Sequence, residues 1–442
     1  MDFATSTSPA VQTQLDRLAT LSPGRDVLGL ARITALLAAL GNPERRLPPV
    51  FHVAGTNGKG STCAFLRAML EAAGHRVHAY ASPHLVRFNE RIRLAGSLID
   101  NDSLAALLAE VLDTAETFAP DLAPSFFEAT TAAAFLAFAR TPADACVIEV
   151  GLGGRLDATN VILTPVSCGI TALAIDHREF LLAPEPGTPA DPLARIAFEK
   201  AGIARAGIPL VTQCYPGAMT DAIEMVATAA DADVLARGKS WDAAIAGDRL
   251  DYRDKAGTKH LPLPKLAGAH QADNAALAIA MLRHQTSLTV PDEAFGPGIA
   301  SAEWPARLQR LAPGPLRDLL PPATDLYLDG GHNPSAATAI AEFLRDKDPV
   351  TMVLGLLANK DLAGFLDALE GTVAHIVAVP VPNHAHHAPE AIASAAAKCG
   401  IAASFASDLE TAVSAIAAAT AIISGSLYLA GEALRINDQL PD

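Results

Sequence analysis

Positive charge, paired cysteines and long apolar runs are scarce in this 442-residue sequence, and each scarcity excludes a class of protein. The formal net charge of −15 argues against a general binder of nucleic acids or anionic membranes. The five cysteines are scattered and form no C-x-x-C pair. The pattern therefore indicates neither a disulfide framework nor a structural zinc site, and it fits a reducing cytoplasm.

Membrane insertion and secretion are also not expected. Residues 1–10 contain neither a basic region nor an apolar core, so they do not read as a signal peptide. Residues 411–431 carry no charge, but alanine dominates them and Ser424-Gly425-Ser426 interrupts them. A buried helix followed by a buried strand is expected there, not a membrane span.

The remaining composition is that of a globular protein, with 50% hydrophobic and 18% charged residues. The chain is too long for one ordinary core, so two domains are expected. Apolar strand-like runs alternate with helical patterns, which implies a largely parallel sheet covered on both faces. Residues 287–303 are rich in Gly and Pro and are expected to be a linker. A second α/β pattern follows, with strands expected at 325–329, 350–355, 375–380, 402–405 and 426–430.

The stretch FHVAGTNGKGST, which begins at Phe51, reads as a strand, a glycine-rich turn and a helix that starts near Lys59. That order is typical of phosphate binding, because backbone N–H groups converge on an anion at a helix N-terminus. Lys59 adds a positive charge, and Ser61 or Thr62 is placed to face a magnesium ion. The usual motif lacks its first glycine here, and Gly60 separates Lys59 from Ser61. A glycine-rich turn without a ligand is the alternative.

Polar side chains follow four predicted strands. They are the phosphate loop itself, Ser82, Glu149 and Asp176-His177. Ligands of open α/β sheets bind beyond the carboxyl ends of the strands, so these groups are expected at one rim. Magnesium prefers oxygen ligands, which Ser82 and Glu149 supply, whereas an imidazole is a less usual ligand for it. A turn, a helix cap and a hydrogen-bonded loop histidine are the respective alternatives.

Three further segments stand out. Asp329 and His332 lie at a strand end before a helix, as a helix cap or a nucleotide-facing turn. Residues 183–192 contain four prolines and are expected to be an exposed loop. A histidine-rich tract lacks paired metal spacing and is expected to be a mobile surface loop: His384, His386 and His387.

Short motifs recur in a fixed order through most of the chain: GTNGKGS from Gly55, SPHL from Ser82, NERI from Asn89, EVGLGGRLDATN from Glu149, DH at Asp176, EKAGI from Glu199, HQ at His270, WP at Trp304, and DGGHNP from Asp329. Taken together, these motifs resemble the folylpolyglutamate synthase/dihydrofolate synthase family, a branch of the Mur ligase superfamily. Each match is short, but their joint order is specific, and the family uses the same Gly-Lys-Gly-Ser loop.

The resemblance implies an α/β fold with a P-loop NTPase-like Mur ligase central domain (1–296) and a C-terminal Rossmann-like domain (297–442). It implies an ATP-dependent amide ligase that adds L-glutamate to dihydropteroate and to reduced folates through an acyl phosphate. A monofunctional folylpolyglutamate synthase, or another Mur-type ligase, is the alternative within the fold. A regulatory P-loop NTPase is the alternative outside it. The expected protein is a cytoplasmic monomer that uses ATP and about two Mg²⁺ ions.

Residue roles carried over from the resemblance are expectations. Those expected to bind ATP are Gly58, Lys59, Gly60, Ser61, Asn274, Arg307 and Asp329. Those expected to bind metal are Ser82, Glu149 and His177. Those expected to bind the pterin are Ser125, Phe126, Phe127, Glu128, Leu156, Asp157 and Ala158. Those expected to act in catalysis are Lys59, Lys200, His332 and Asp157, with Lys200 carbamylated into an oxygen ligand.

Two departures from the family pattern leave contacts open. The family's Asp-Leu-Gly-Leu reads Asp26-Val27-Leu28-Gly29-Leu30 here, with the acid displaced by one position. The histidine-rich tract stands where relatives often carry an arginine for the incoming glutamate, so that site is not assigned. Residues 183–192 also lengthen the path between His177 and Lys200.

Overall fold

The structure, a computed structural model, describes residues 4–21, 28–118, 123–347 and 349–442. Asp26 and Val27 of the displaced family motif lie outside the described residues. The chain divides into two units. The first comprises Met1–Pro83, Phe88–Lys265 and Gln271–Glu303, and the second comprises His84–Arg87, Leu266–His270 and Trp304–Asp442.

Helices and strands alternate through most of the first unit. Its helices are α1 (Pro9–Thr20), α2 (Ala31–Ala39), α3 (Lys59–Ala72), α4 (Asn101–Phe118), α5 (Phe126–Arg140), α6 (Arg178–Leu181), α7 (Pro192–Ala201), α8 (Gly217–Ala229), α9 (His270–Arg283) and α10 (Phe295–Ser301). Its strands are β1 (Val50–Ala54), β2 (Val77–Tyr80), β3 (Ile92–Leu94), β4 (Ser97–Leu98), β5 (Ala145–Glu149), β6 (Ser167–Ile170), β7 (Pro209–Thr212), β8 (Asp233–Ala236), β9 (Trp241–Ala246), β10 (Arg249–Asp254) and β11 (Gly257–Pro262).

The main sheet of this unit has the strand order β4-β3-β2-β5-β1-β6-β7-β8. Strands β2, β5, β1, β6, β7 and β8 are parallel, and β3 and β4 are antiparallel additions at one edge. Every residue of β1 and β5 is buried, as expected of parallel strands with both faces covered. One core cluster joins α1, α2, α4 and α5 to β2 and β5, and another joins α7 and α8 to β6 and β7.

The polar segment 232–266, expected to be rich in strands, forms β8 and a small antiparallel sheet of β9, β10 and β11. Ala246 pairs with Arg249 across the first hairpin, which leaves a two-residue turn. Gly247 begins that turn with a φ of 65°, a conformation that glycine adopts without a steric penalty.

The segment predicted to be a linker is helical in part. Residues Asp292–Ala294 form a 3₁₀ turn that leads into α10. A Cβ on Gly298 would lie 2.5 Å from the Cα of Met69, so this glycine permits close packing of α10 on α3. The linker prediction failed because glycine and proline also serve helix packing and helix starts. The functional division at residue 296 stays a prediction.

The second unit has a six-stranded sheet of order β12-β13-β17-β14-β15-β16, in which only the β12–β13 pair is antiparallel. Its strands are β12 (Gln309–Arg310), β13 (Asp325–Leu328), β14 (Val350–Leu354), β15 (His375–Ala378), β16 (Ala402–Phe405) and β17 (Thr420–Ser424). Its helices are α11 (Pro334–Leu344), α12 (Leu362–Asp367), α13 (Pro389–Lys398), α14 (Leu409–Ser414) and α15 (Leu427–Ile436). Two apolar clusters form its core.

The prediction of a strand at 426–430 is wrong, because these residues lie at the start of a helix. Strand β17 lies earlier, and α15 begins at Leu427, where the Ser426 hydroxyl caps the helix by accepting from the Tyr428 N–H. The alanine-rich run before the strand read as a continuing helix, although Ile422 and Ile423 are β-branched. No helix in the described ranges has both the length and the apolar character needed to cross a membrane.

Candidate active site

The phosphate loop joins the end of β1 to the start of α3. Gly58 precedes the helix with a φ of 88°, and a Cβ there would lie 2.3 Å from the Oδ1 atom of Asn274. A Cβ on Gly55 would lie 1.7 Å from the Thr171 Oγ1 atom. Lys59 directs its Nζ atom back to the loop and donates to a backbone carbonyl at 3.3 Å. The glycines therefore let the loop backbone lie directly against the neighbouring elements.

Two hydroxyl groups in the first turn of α3 are buried without a hydrogen-bond partner. Ser61 is 1% exposed and Thr62 is 0% exposed, and neither side-chain oxygen has a partner. An unpaired buried hydroxyl destabilises a fold by about 1–3 kcal/mol, so its presence needs an explanation. A phosphate oxygen or a hydrated magnesium ion at this helix N-terminus would supply the missing partners. The residues of the loop thus fit a bound nucleotide.

The side chains predicted to share one rim follow adjacent strands. Strands β2, β5, β1 and β6 are neighbours and run parallel, so their carboxyl ends meet at one edge of the sheet. Ser82 follows β2, Glu149 ends β5, the phosphate loop follows β1, and His177 lies beyond β6. Glu149 is only 5% exposed, and His177 has a φ of 48°, which is uncommon outside glycine. The topology thus brings the four groups to the rim expected from sequence.

The charges of Glu149 and Lys59 both act on Cys63, a buried residue of α3. The pKa of the buried Cys63 thiol is raised, first by burial and then by the charge of Glu149, while Lys59 acts in the opposite direction. Among the described residues, no cluster of three or more His, Cys, Asp or Glu side chains is arranged to hold a metal ion. The predicted set combines a hydroxyl with a carboxylate and an imidazole, and its metal-binding role stays a prediction.

Lys200 lies at the end of α7 and is 5% exposed. Its Nζ atom donates to the Gly55 carbonyl oxygen at 2.8 Å. Its pKa is lowered to about 7, first by burial and then by the positive charge of Lys59, while Asp176 and Asp157 oppose the shift. The lowered pKa favours the uncharged amine, which is the nucleophilic form of lysine.

The start of α5 is closed by a capping box. The Ser125 hydroxyl accepts from the Glu128 N–H at 3.2 Å, and Glu128 Oε2 accepts from the Ser125 N–H at 2.6 Å. The same Oε2 atom forms an ion pair with Arg32 Nε at 2.9 Å, and Glu128 is 4% exposed. Glu128 therefore organises the wall of the site through bonds within the protein.

Two phenylalanines follow this cap in different environments. Phe126 is buried and packs edge-on against Phe88, with ring centroids 6.0 Å apart. Phe127 is partly exposed, and its ring lies over Gly151, where a Cβ would be 2.3 Å from the Cζ atom. The Phe127 ring thus covers the turn that follows β5.

Asp157 holds that turn together. Its Oδ2 atom accepts from the Leu152 N–H at 2.7 Å, and its Oδ1 atom accepts from the Thr159 N–H at 3.0 Å and the Thr159 hydroxyl at 2.6 Å. Burial raises the pKa of Asp157, and these hydrogen bonds oppose the rise. His52 Nε2 lies 2.8 Å from the Thr159 hydroxyl and links β1 to the same turn.

In the second unit, Asp329 organises the turn after β13. Its Oδ2 atom accepts from the Leu308 N–H at 2.9 Å, and its Oδ1 atom accepts from the Gly331 N–H at 2.7 Å. The His332 Nδ1 atom lies 3.1 Å from the carbonyl oxygen of the first turn glycine. Arg307 donates to a neighbouring carbonyl at 2.8 Å. These predicted residues therefore cluster within this unit.

Comparison with known proteins decides the family. Residues 319–427 match the family model "Mur ligase, glutamate ligase domain". A dihydrofolate synthase/folylpolyglutamate synthase of Escherichia coli (strain K12) is 37% identical over 350 residues, which cover 78% of this chain and 76% of that protein.

The chain belongs to the folylpolyglutamate synthase/dihydrofolate synthase family. It is therefore an ATP-dependent glutamate ligase with the two-domain Mur ligase fold. The solved structure of E. coli FolC in complex with DHPP and ADP has a TM-score of 0.85 and 31% identity, with 99% of both chains covered. A bifunctional folylpolyglutamate synthase/dihydrofolate synthase with Mn, AMPPNP and L-glutamate bound has a TM-score of 0.81 and 30% identity, with 97% and 99% covered.

The family frame groups the sequence-predicted residues into three places, and their individual roles stay predictions. Those at the rim of the first sheet are Gly58, Lys59, Gly60, Ser61, Ser82, Glu149, His177, Lys200 and Asn274. Those at the start of α5 and in the turn after β5 are Ser125, Phe126, Phe127, Glu128, Leu156, Asp157 and Ala158. Those just before β12 and just after β13 in the second unit are Arg307, Asp329 and His332.

The histidine-rich tract is held more firmly than a mobile loop. His384 stacks on Tyr428 with ring centroids 3.7 Å apart, and its Nδ1 atom lies 2.8 Å from the Pro382 carbonyl oxygen. The His386 and His387 rings also lie within hydrogen-bond distance of carbonyl oxygens. The contacts of His384 with Tyr428 and of His387 with the Lys360 carbonyl join distant parts of the chain, so the local sequence pattern did not reveal them.

Sequence reasoning missed several residues that support the site in this family member. Thr171 donates its hydroxyl to the Asn57 carbonyl at 2.7 Å, and Arg32 pairs with Glu128. His52 was also missed, although a histidine inside the apolar strand β1 is a readable signal, because a buried polar group needs a partner. Nothing in the local sequence marks Thr171 or Arg32.

Proposed function

We propose that this chain ligates L-glutamate to dihydropteroate and also to reduced folates, at the expense of ATP. The observation that carries the proposal is the pair of buried, partnerless hydroxyls of Ser61 and Thr62 at the start of α3. A helix N-terminus with free hydroxyls and a lysine supports phosphate binding. The names of similar proteins state both activities, which supports the bifunctional assignment. The ligands in the solved structures, which include DHPP, ADP and L-glutamate, also support it.

The reaction forms an amide from a carboxylate, which is a poor electrophile. The carboxylate oxygen attacks the γ-phosphorus of ATP, the bond to the β-phosphate oxygen breaks, and ADP leaves. The amine of L-glutamate then attacks the acyl phosphate, loses a proton and displaces inorganic phosphate. Lys59 and the loop N–H groups are proposed to hold the phosphates in line, because phosphoryl transfer depends mostly on positioning and charge neutralisation.

A divalent cation would be held by Ser82, Glu149 and His177, which lie at the same sheet edge. Magnesium would neutralise charge on the phosphate oxygens when bound. Lys200 is proposed to be carbamylated, which would convert a buried amine into an oxygen ligand. Its burial and its lowered pKa support that proposal, since only the uncharged amine reacts with carbon dioxide.

Asn274, Arg307 and Asp329 are proposed to contact ATP, and His332 to lie near its phosphates. Ser125 to Glu128 and Leu156 to Ala158 are proposed to face the pterin, with Phe127 as the stacking ring. We further propose a cytoplasmic monomer that binds no nucleic acid, in line with the net charge of −15.

The test measures ADP release and amide product together. Dihydropteroate and tetrahydrofolate are assayed side by side, each with and without L-glutamate, and ATP alone is the control. Release of ADP that requires both the pteridine and glutamate, with a glutamylated product by mass spectrometry, is expected for both substrates. Glutamate-dependent activity with tetrahydrofolate but not with dihydropteroate would show that the enzyme is a folylpolyglutamate synthase only. Hydrolysis of ATP without any amide product would contradict the ligase.

A further inference from the structure

The proline-rich loop before α7 is bound to the protein by a cluster of four charged side chains. Arg155 donates from Nη1 and Nη2 to the two carboxylate oxygens of Glu185, at 3.1 and 2.5 Å. Arg155 also donates from Nε and Nη2 to Glu199, at 3.1 and 2.9 Å. Arg195 donates to Glu185 at 3.0 Å and to Glu199 at 2.9 Å. Each arginine thus bridges the same two carboxylates.

The cluster is only partly exposed, so its charge balance matters. Arg195 is 5% exposed and Glu199 is 3% exposed, whereas Glu185 lies at the surface. Both guanidinium groups also lie over the Phe198 ring, 5.4 and 5.9 Å from its centroid. Without Glu185, two arginines would share the single carboxylate of Glu199. A buried charge left short of partners destabilises the arrangement that holds it.

The same cluster fixes the backbone that carries Lys200. The Arg155 N–H donates to the Glu199 carbonyl at 2.7 Å, one residue before Lys200. A Cβ on Gly154 would lie 2.9 Å from the Lys200 carbonyl oxygen, so the turn and the last part of α7 are in direct contact. A shift of the Arg155–Glu199 pair would therefore move the Lys200 amine relative to the Gly55 carbonyl, which it contacts at 2.8 Å.

The loop has two further attachments to α7. The Asp191 carboxylate caps the helix by accepting from the Ala194 N–H at 2.8 Å, and Arg195 donates to the Thr188 hydroxyl.

We propose that Glu185, carried by this loop, is a positioning residue for Lys200. The segment that lengthens the path between His177 and Lys200 is thus a brace for the helix that presents the lysine. This inference rests on the proposed role of Lys200 at the site.

The test removes the charge of Glu185 and keeps its shape, as Glu185→Gln. Exposed ion pairs are modest, so we expect amide hydrogen exchange over residues 195–203 to become about three- to fivefold faster. We also expect kcat for pteridine-dependent ADP release to fall about three- to fivefold, with KM for ATP unchanged. Glu185→Asp, which keeps the charge, is expected to restore part of both.

The matched control is Glu224→Gln, which removes an exposed ion pair to Lys239 of 3.1 Å elsewhere in the same unit. It is expected to change neither readout. Unchanged exchange over residues 195–203 in Glu185→Gln would overturn the inference. Faster exchange with unchanged kcat would overturn it too, because the brace would then not position a functional group. A wild-type protein without pteridine-dependent turnover would contradict the proposed function, while the exchange comparison would still decide whether Glu185 braces α7.

Discussion

Replacing Ser61 with alanine separates ligand binding from folding more cleanly than other changes at the rim. The Ser61 hydroxyl is 1% exposed and has no hydrogen-bond partner within the protein. Its removal relieves an unpaired buried polar group, which is worth about 1–3 kcal/mol, and alanine is also the better helix former by about 0.5 kcal/mol. Ser61→Ala is therefore expected to raise the free energy of unfolding by about 1.5–3.5 kcal/mol, measured by urea denaturation without nucleotide.

The same change is expected to weaken catalysis. If the hydroxyl meets a phosphate oxygen or a metal-bound water, its loss removes a hydrogen bond to a charged group, worth about 1.5–3 kcal/mol. That corresponds to a decrease in kcat/KM for ATP of about 10- to 150-fold. Stabilisation by a bound nonhydrolysable ATP analogue should shrink in parallel, because a ligand stabilises the state that it binds.

Ser167→Ala is the matched control. Ser167 is fully buried, its hydroxyl also has no partner, and it starts β6 at the opposite end of the strand from the rim. It is expected to gain similar stability without loss of activity. The reasoning is refuted if Ser61→Ala is destabilised, or if it keeps the wild-type kcat/KM for ATP.

Three further changes test other parts of the site. Burial lowers the pKa of His52 to about 3, so below pH 6.5 the unfolded chain binds a proton that the folded chain excludes. The free energy of unfolding therefore falls by up to about 1.4 kcal/mol for each unit by which the pH is lowered towards 3. Urea unfolding measured from pH 7 to pH 4 should show a flatter decline for His52→Gln than for the wild type. Gly151→Ala forces the Phe127 ring aside and should raise KM for dihydropteroate about tenfold, with KM for ATP unchanged in steady-state assays. Asp329→Asn loses an acceptor for one of two backbone N–H groups and should weaken ATP binding about tenfold by calorimetry, while an unchanged affinity would contradict its proposed role.

The fold followed from hydrophobic patterns where those patterns were strong. The buried runs of β1 and β5 and the helix after Gly58 were predicted to within a few residues, because a parallel sheet needs continuous apolar strands. The secondary-structure predictions were wrong where one amino-acid composition is compatible with two kinds of local structure. Alanine-rich sequence hid β17, and the Gly-Pro-Gly of α10 read as a linker because close packing against α3 is not visible in one sequence.

The part of the rim that follows the strands could be predicted because one topological rule places it. Parallel strands bring their carboxyl ends to one edge, so Ser82, Glu149 and the phosphate loop meet there regardless of the loops between them. The braces around the rim could not be predicted. Glu185 and Arg155 are 30 residues apart in sequence, and their pairing depends on the path of the proline-rich loop.

Hydrogen bonding divides the polar side chains of the first unit into two functional sets. Glu128 and Asp157 are buried carboxylates whose oxygens accept from backbone N–H groups, a hydroxyl or an arginine. A carboxylate bound in this way is fixed in position and orders the backbone around it. The hydroxyls of Ser61 and Thr62 have no such bonds. Sequence motifs mark both sets alike, but the hydroxyls of the second set are buried with their hydrogen-bonding capacity unused, whereas the two carboxylates already serve as acceptors within the protein.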